Sequence, residues 1–385
     1  MSGGPEIVLA AGGTGGHVFP AQALAGELAA RGRSLALITD RRGAGYGGAL
    51  GRIATYQVHA GTISGRSLGG KIAGLAELAM GFLEARRLLS KLEPAAVVGF
   101  GGYPSLPTLL AAARAGMTTL IHEQNAMLGR VNRLLAPRVT LIAISYPETA
   151  RLKARHRAKA TLTGNPVRSE IRILGGHGYR APERRGPFAL LVIGGSQGAR
   201  VLSRVVPAAL GLLPVGLRRS LKLSQQCRAD DIDRVRGHYE AASIDAELAT
   251  FFDDIPARLA AAHLVIARAG ASTVSELAVA GRPAILVPYR FAADGHQSLN
   301  ARALAEAGGA WRIEEEEFAP EPLARRLEAL LEDPEGLEAA AQRARAMARP
   351  EAAANLADLV ERLAPANGGR GTGVRLSEAA REEAA

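Results

Sequence analysis

The chain of 385 residues holds one cysteine, Cys227, so a disulfide framework within it is excluded and a reducing compartment suits it. It holds one tryptophan, Trp311, and aromatic residues make up only 4%. No uninterrupted apolar run reaches about 18 residues, which excludes a membrane-spanning helix. The opening MSGGPEIVLA lacks the basic start and long apolar stretch of a signal peptide. There is no Walker motif, and the histidines are scattered without metal-ligand spacing. The Asp-x-Asp at Asp231-Ile232-Asp233 lies in a polar stretch with no strong apolar strand before it, so it reads as a solvated face and no metal site is expected.

What is present describes an ordinary globular protein with a core: 48% hydrophobic and 22% charged residues. The length exceeds the usual single domain, so two are expected. The formal net charge of +10 is one-sided. Residues 1–168 carry 20 Lys and Arg against 8 Asp and Glu, a net of +12, and the remainder carries 27 against 29, a net of −2. Such a basic half suits nucleic acid or an anionic membrane surface, and equally suits simple solubility.

Short apolar runs alternate with helical periodicity. Residues 6–10, 34–39, 95–98, 118–121 and 140–144 read as buried strands. Val18, Ala21, Leu24, Ala25 and Leu28 recur at helical spacing after the loop Gly12-Gly13-Thr14-Gly15-Gly16. The pattern then restarts, with strands at 188–193, 264–267 and 284–287 and a second loop, Gly194-Gly195-Ser196-Gln197-Gly198, 182 residues after the first (195 − 13). The expected fold is α/β, with two doubly wound domains that each open on a glycine turn. Gly164-Asn165-Pro166 reads as the linker. The expected organisation is a first domain over 1–166, a second over 167–348, a helix in 349–365 returning to the first, and a disordered tail over 366–385.

A glycine turn from strand to helix presents backbone N–H groups and a helix N-terminus, which suit phosphate. Each loop alone is as readily a tight turn that lets helix approach strand. The first fails G-x-G-x-x-G, because Val18 stands at the third glycine position, which speaks against a dinucleotide site. His17 follows that turn at a helix start, where an imidazole can accept a proton near neutral pH or simply hydrogen-bond locally. His122-Glu123-Gln124-Asn125 ends a predicted strand, where ligands of open parallel sheets bind, and Asn125 is the candidate sugar contact. The run from Arg268 to Glu276 follows another strand, and a carboxylate at Glu276 can accept two ribose hydroxyls or merely favour the helix dipole. The segment 294–300 offers His296, Gln297 and Asn300. The helix predicted over 70–89 carries Ile72, Leu75, Ala79 and Phe82 beside Lys71, Arg86 and Arg87, a pattern that suits either an anionic leaflet or a sheet-covering helix.

Seven motifs in order bear a family resemblance: GGTGGHVFPA (12–21), GFGGYPSLP (99–107), IHEQNAMLGRVNRLLA (121–136), GNPVR (164–168), GGSQGA (194–199), RAGASTVSEL (268–277) and DGHQSLNA (294–301). Over about residues 5–365 the chain resembles the MurG family of bacterial cell-wall glycosyltransferases, glycosyltransferase family 28. The resemblance implies the two-domain GT-B fold and inverting, metal-independent transfer of N-acetylglucosamine. The implied donor is UDP-N-acetylglucosamine, and the implied acceptor is the 4-hydroxyl of undecaprenyl-diphosphate-linked N-acetylmuramyl pentapeptide. No cofactor and no nucleic-acid partner are implied. The family's pattern puts Thr14, Gly15 and Gly16 beside the diphosphate, Asn125 on the sugar, and Arg168 and Ser196 on the donor phosphates. Phe252 falls beside the uracil, and Ala271, Ser272, Thr273, Val274, Ser275 and Glu276 form the donor loop, with Glu276 on the ribose. His296 and Gln297 fall on the family's polar pair, His17 is the base and Tyr103 faces the acceptor. Ile72, Leu75 and Phe82 fall in the family's membrane patch, implying a peripheral place on the cytoplasmic face of the inner membrane with anionic lipid as partner. The chain departs from the family in lacking a tryptophan in that patch. The alternatives are a UDP-N-acetylglucosamine 2-epimerase of the same fold, for which paired carboxylates are missing from the N-terminal loops, and a non-catalytic UDP-sugar sensor.

Overall fold

The computed structural model describes residues 4–13, 15–41, 46–61, 68–184, 186–195 and 198–364. Two parallel sheets organise them. The first has seven strands: β1 (Ile7–Ala10), β2 (Leu35–Thr39), β3 (Ala54–Gln57), β4 (Ala96–Gly99), β5 (Thr118–Glu123), β6 (Leu141–Ile144) and β7 (Ala160–Leu162), in the order β3-β2-β1-β4-β5-β6-β7. The second has six: β8 (Phe188–Ile193), β9 (Leu221–Gln226), β10 (Asp245–Ala249), β11 (Leu264–Ala267), β12 (Ala284–Leu286) and β13 (Ala310–Arg312), in the order β10-β9-β8-β11-β12-β13. Every pairing is parallel, so all strands of a sheet end on one edge. The strand order reverses between β1 and β4 in one sheet and between β8 and β11 in the other. A crevice opens at each such point, outside the carboxyl ends of the strands.

The crossover helices of the first sheet are α1 (Gly15–Ala30), α2 (Leu68–Leu92), α3 (Gly102–Arg114), α4 (Arg130–Leu135) and α5 (Ala154–Arg157). Those of the second are α6 (Ser169–Gly175), α7 (Arg200–Gly211), α8 (Val215–Ser220), α9 (Ile232–Ala241), α10 (Ile255–Ala261), α11 (Ala271–Ala280) and α12 (His296–Glu306), followed by α13 (Pro320–Leu331) and α14 (Pro334–Ala346). Helices on both faces explain why central strands are unbroken apolar runs. Ile7, Val8, Leu9 and Ala10 all point into one core or the other and are fully buried. The last helix, α15 (Ala352–Leu363), sets Leu356, Ala357, Leu359 and Val360 into the core of the first sheet, against α1.

The structure adds five strands that apolar runs did not announce: β3, β7, β9, β10 and β13. It also corrects the reading of Asp231. Its carboxylate is largely covered and accepts from Arg234 Nη2 at 2.7 Å, whereas Asp230, Asp233 and Arg234 around it are exposed, so the stretch is a solvated face with one covered carboxylate. Among the described residues no group of His, Cys, Asp and Glu is placed to hold a metal, and no helix is long and apolar enough to cross a membrane.

The stripe on α2 differs from the expected one. Ile72 and Leu75 are exposed, as are Met80 and Leu83, whereas Phe82 is half-buried and packs against the core under the helix. At about 100° per residue, Leu83 falls within roughly 20° of Ile72, while Phe82 lies about 80° away, toward the side that buries Leu89. Phe82 is therefore a core contact, and Leu83 takes its place on the open face between Ile72 and exposed Arg86 and Arg87.

Candidate active site

The carboxyl ends of β1, β4 and β5 meet at the first crevice. Gly12 follows β1 so closely that a Cβ there would stand 2.7 Å from Cβ of Pro104, in the first turn of α3. The loop after β4 turns through Gly101 and Gly102 at φ +80° and +72°, a region that disfavours side chains. That leaves bare backbone beside the ring of His17, in the first turn of α1: a Cβ on Gly102 would lie 3.2 Å from His17 Cδ2 and 3.3 Å from Nε2. On the other side of the ring, His17 Nδ1 is 3.2 Å from Gln124 Oε1. His122, Glu123 and Gln124 at the end of β5 are all buried, and each is bonded. Glu123 accepts from Asn125 N, Gly129 N and Asn132 Nδ2 at 2.7–3.1 Å. It thereby shapes the loop that leads into α4. Burial pushes the His122 imidazole down to about 4.

Across from it, the loop after β8 turns at Gly194 and Gly195, and Gly194 N donates to the buried Gln226 Oε1 at 3.2 Å. Helix α11 begins at the end of β11 and packs against α1. Its Glu276 is buried and takes a bidentate pair from Arg168, Nε to Oε1 at 3.0 Å and Nη2 to Oε2 at 3.1 Å. Burial pushes the Glu276 carboxyl above its ordinary value, against the pull of Arg168. The Arg168 guanidinium also stands over the Phe19 ring of α1, 5.3 Å from its centre, so one side chain touches both halves of the cleft. Asn165 Nδ2 adds a bond to Ser275 Oγ at 3.2 Å.

Further bonds join the halves. Asn300 of α12 donates to Asn125 Oδ1 at 3.0 Å and to Ala269 O at 3.1 Å, and accepts from Ala126 N at 2.8 Å. Asp294 is gripped by Arg130 and Arg133 of α4, which hold its carboxyl down to about 2 through hydrogen bonds and charge. Tyr103 is half-buried in the first turn of α3, within electrostatic reach of Arg130.

The crevice thus gathers His17, Gly15, Gly16, Asn125, Arg168 and the start of α11. Ser272, Thr273 and Ser275 are half-exposed there, but Ala271 and Val274 are buried against the sheet and can offer a ligand only backbone. Phe252 is likewise 5% exposed, with the Arg258 guanidinium 3.8 Å above its ring, so the open ring of that pair is Phe251. His296 starts α12 with Nδ1 2.8 Å from Ala293 O, and Gln297 Oε1 accepts from Tyr289 N at 2.9 Å. Thr14 and Ser196 lie outside the described residues. Sequence reasoning marked Glu123 and Gln124 only as members of a polar run, and gave no role to Asn132, Gln226 or Asp294. Their signal was only adjacency to loops at strand ends.

Residues 7–144 match the glycosyltransferase family 28 N-terminal domain, and residues 189–360 match its C-terminal domain. The chain belongs to glycosyltransferase family 28. A protein of Paramagnetospirillum magneticum is 53% identical over 365 residues, spanning 95% of this chain and 98% of its own. One of Rhodospirillum rubrum is 54% identical over 359 residues, spanning 93% and 92%. Both are named UDP-N-acetylglucosamine–N-acetylmuramyl-(pentapeptide) pyrophosphoryl-undecaprenol N-acetylglucosamine transferase. Among solved structures, MurG of Acinetobacter baumannii superposes at TM-score 0.74 with 29% identity, over 92% of this chain and 99% of that one. A structure described as a putative UDP-N-acetylglucosamine 2-epimerase of Listeria monocytogenes, at 15% identity and TM-score 0.65 over 93% of this chain and 96% of that one, shows a shared fold alone.

Proposed function

We infer that this enzyme is a hexosyltransferase that moves N-acetylglucosamine from UDP onto the 4-hydroxyl of the muramyl sugar of a pyrophosphoryl-undecaprenol-linked pentapeptide precursor. What carries the reading is a single arrangement. A histidine with an open ring edge stands at one strand-order reversal, and glycine turns, Arg168 and the start of α11 stand at the other. Relatives of near-equal length and more than half identity bear the name of that reaction.

In this reading the donor lies across the start of α11. Ser272, Thr273 and Ser275 and the backbone of Ala271 and Val274 meet its diphosphate, joined by Gly15, Gly16, Thr14 and Ser196. Glu276 accepts both ribose hydroxyls, and Arg168 turns from Glu276 toward the phosphates. The uracil lies along the backbone of Phe252, His296 and Gln297 flank the sugar, and Asn125 contacts it. Tyr103 and the first crevice receive the acceptor. The acceptor 4-oxygen attacks the anomeric carbon from the face opposite UDP. Its proton passes to His17 Nε2 as the new C–O bond forms and the bond to the UDP oxygen breaks. Helix N-termini, loop N–H groups and Arg168 offset the charge on departing UDP. Exposed Ile72, Leu75, Met80 and Leu83 beside Arg86 and Arg87 dock on an anionic inner leaflet, where the acceptor resides.

The test mixes the protein, radiolabelled UDP-N-acetylglucosamine and the lipid-linked muramyl acceptor in detergent with EDTA. Acceptor-dependent label in the lipid fraction supports both the transfer and its metal independence. Formation of the 2-epimer of the donor without acceptor would sink the reading in favour of the epimerase.

A further inference from the structure

We propose that Gln124 and His122 are positioning residues that lock His17 into the tautomer whose Nε2 is bare. The proposal rests on His17 being the base, as inferred above, and adds how the fold readies it.

The hydrogen bonds admit one arrangement of protons. Gln124 is 1% exposed, and its amide nitrogen stands 3.0 Å from Phe100 O, 3.0 Å from His122 Nδ1 and 3.1 Å from His122 O. Two of these three are carbonyl oxygens. Turning the amide over would set its own oxygen against both, so the nitrogen stays there and Oε1 faces His17. An oxygen can only accept, so His17 Nδ1, at 3.2 Å, must carry the hydrogen. His17 Nε2 is then the lone-pair nitrogen of the neutral ring, on the side where Gly102 presents only backbone.

His122 closes the chain in the same sense. It is 0% exposed and its Nε2 lies 3.0 Å from Gly164 O, which requires a hydrogen on Nε2 and leaves Nδ1 to accept from Gln124. Donation therefore runs one way, from His17 to Gln124 to His122 to Gly164 O, and ends in the segment that joins the two sheets. In a free histidine side chain the tautomer protonated at Nε2 predominates, and that form could not accept a proton at Nε2. The relay reverses this preference before substrate arrives. When the acceptor's proton reaches Nε2, the hydrogen on Nδ1 stays in place and its bond to Gln124 becomes charge-assisted, with no further proton transfer needed.

The direct test needs no variant. Full-length protein labelled with [15N]histidine is examined by NMR at a pH where His17 is neutral, its resonances being those lost in His17→Asn. A hydrogen on Nδ1 and none on Nε2 is expected, and a hydrogen on Nε2 would overturn the proposal. Kinetics supply the second arm. With both substrates saturating, Gln124→Met lowers kcat by about 10–100-fold, the range seen when a hydrogen-bond partner that orients a metal-bound histidine is removed. The KM for the donor stays within about twofold. Normal kcat in Gln124→Met beside an inactive His17→Ala would sink the relay and leave His17 as base. An active His17→Ala would sink the base assignment, while the NMR result still decides the tautomer.

Discussion

Replacing Arg168 with methionine keeps most of the stem but leaves the Glu276 carboxylate buried without its cation. Breaking a buried pair in this way ordinarily costs about 3–5 kcal/mol. The carboxyl has an escape, since it can take up a proton. Starting from the ordinary value of 4.5, that protonation costs about 3 kcal/mol at pH 7 and below about 1 kcal/mol at pH 5. The destabilisation is therefore capped near those figures. The sign follows from burial. The folded carboxyl titrates above the unfolded one, so the folded state holds more proton between the two values and stability falls as pH rises. In Arg168→Met both of the causes that pull the value down are gone, which widens that window upward. The second domain should melt about 6–12 °C lower at pH 7, if each kcal/mol is worth about 2–4 °C for a unit of this size. The deficit should shrink to about 1–3 °C at pH 5. Adding Glu276→Gln should restore most of the loss at pH 7, because a neutral amide has no charge to strand. The assay is differential scanning calorimetry of wild type, the two single variants and the double variant at both pH values. A deficit that is the same at pH 5 and pH 7, or a double variant no more stable than Arg168→Met, would refute the reasoning.

Other expectations concern the cleft and the surface. His17→Ala should lower kcat by on the order of 10²-fold or more while UDP affinity by calorimetry changes little. Gly102→Ala adds a Cβ 3.3 Å from His17 Nε2 at φ +72°, so kcat should fall by about tenfold or more while donor KM holds. Leu75→Glu with Leu83→Glu should abolish sedimentation with anionic vesicles yet leave the melting temperature unchanged, because both side chains are exposed. Asp294→Asn frees Arg130 and Arg133 from the second domain with little loss of global stability, given their exposure, and should make the connection between domains more open to protease.

How much was legible in the chain differs from element to element. Strands β1, β4, β8 and β11 announce themselves because helices cover both faces and every position must be apolar. β3 and β10 are edge strands with open positions, and β7 and β13 are short and half-covered, so none carries a continuous run. β9 is internal but ends in Gln225 and Gln226, both buried. Their polarity hides the strand, yet Gln226 is there to hold the second glycine turn. On α2 the period of 3.6 was plain, but the side that faces the sheet was not, and Phe82 fell on the wrong side of that boundary.

By itself the sequence determined that two parallel α/β halves would each open on a glycine turn. Strand length, helical spacing and turn chemistry are local properties of the chain. It also marked His17, the polar run at the end of β5 and the start of α11, because ligands meet open parallel sheets at strand ends. Only the tertiary structure decided which of these side chains share bonds. Arg168 and Glu276 are 108 residues apart, His17 and Gln124 are 107 apart, and Asn125 and Asn300 are 175 apart. Nothing in local propensity relates such pairs. They meet because the strand-order reversals of two sheets face each other, and burial there favours polar side chains that bond to one another.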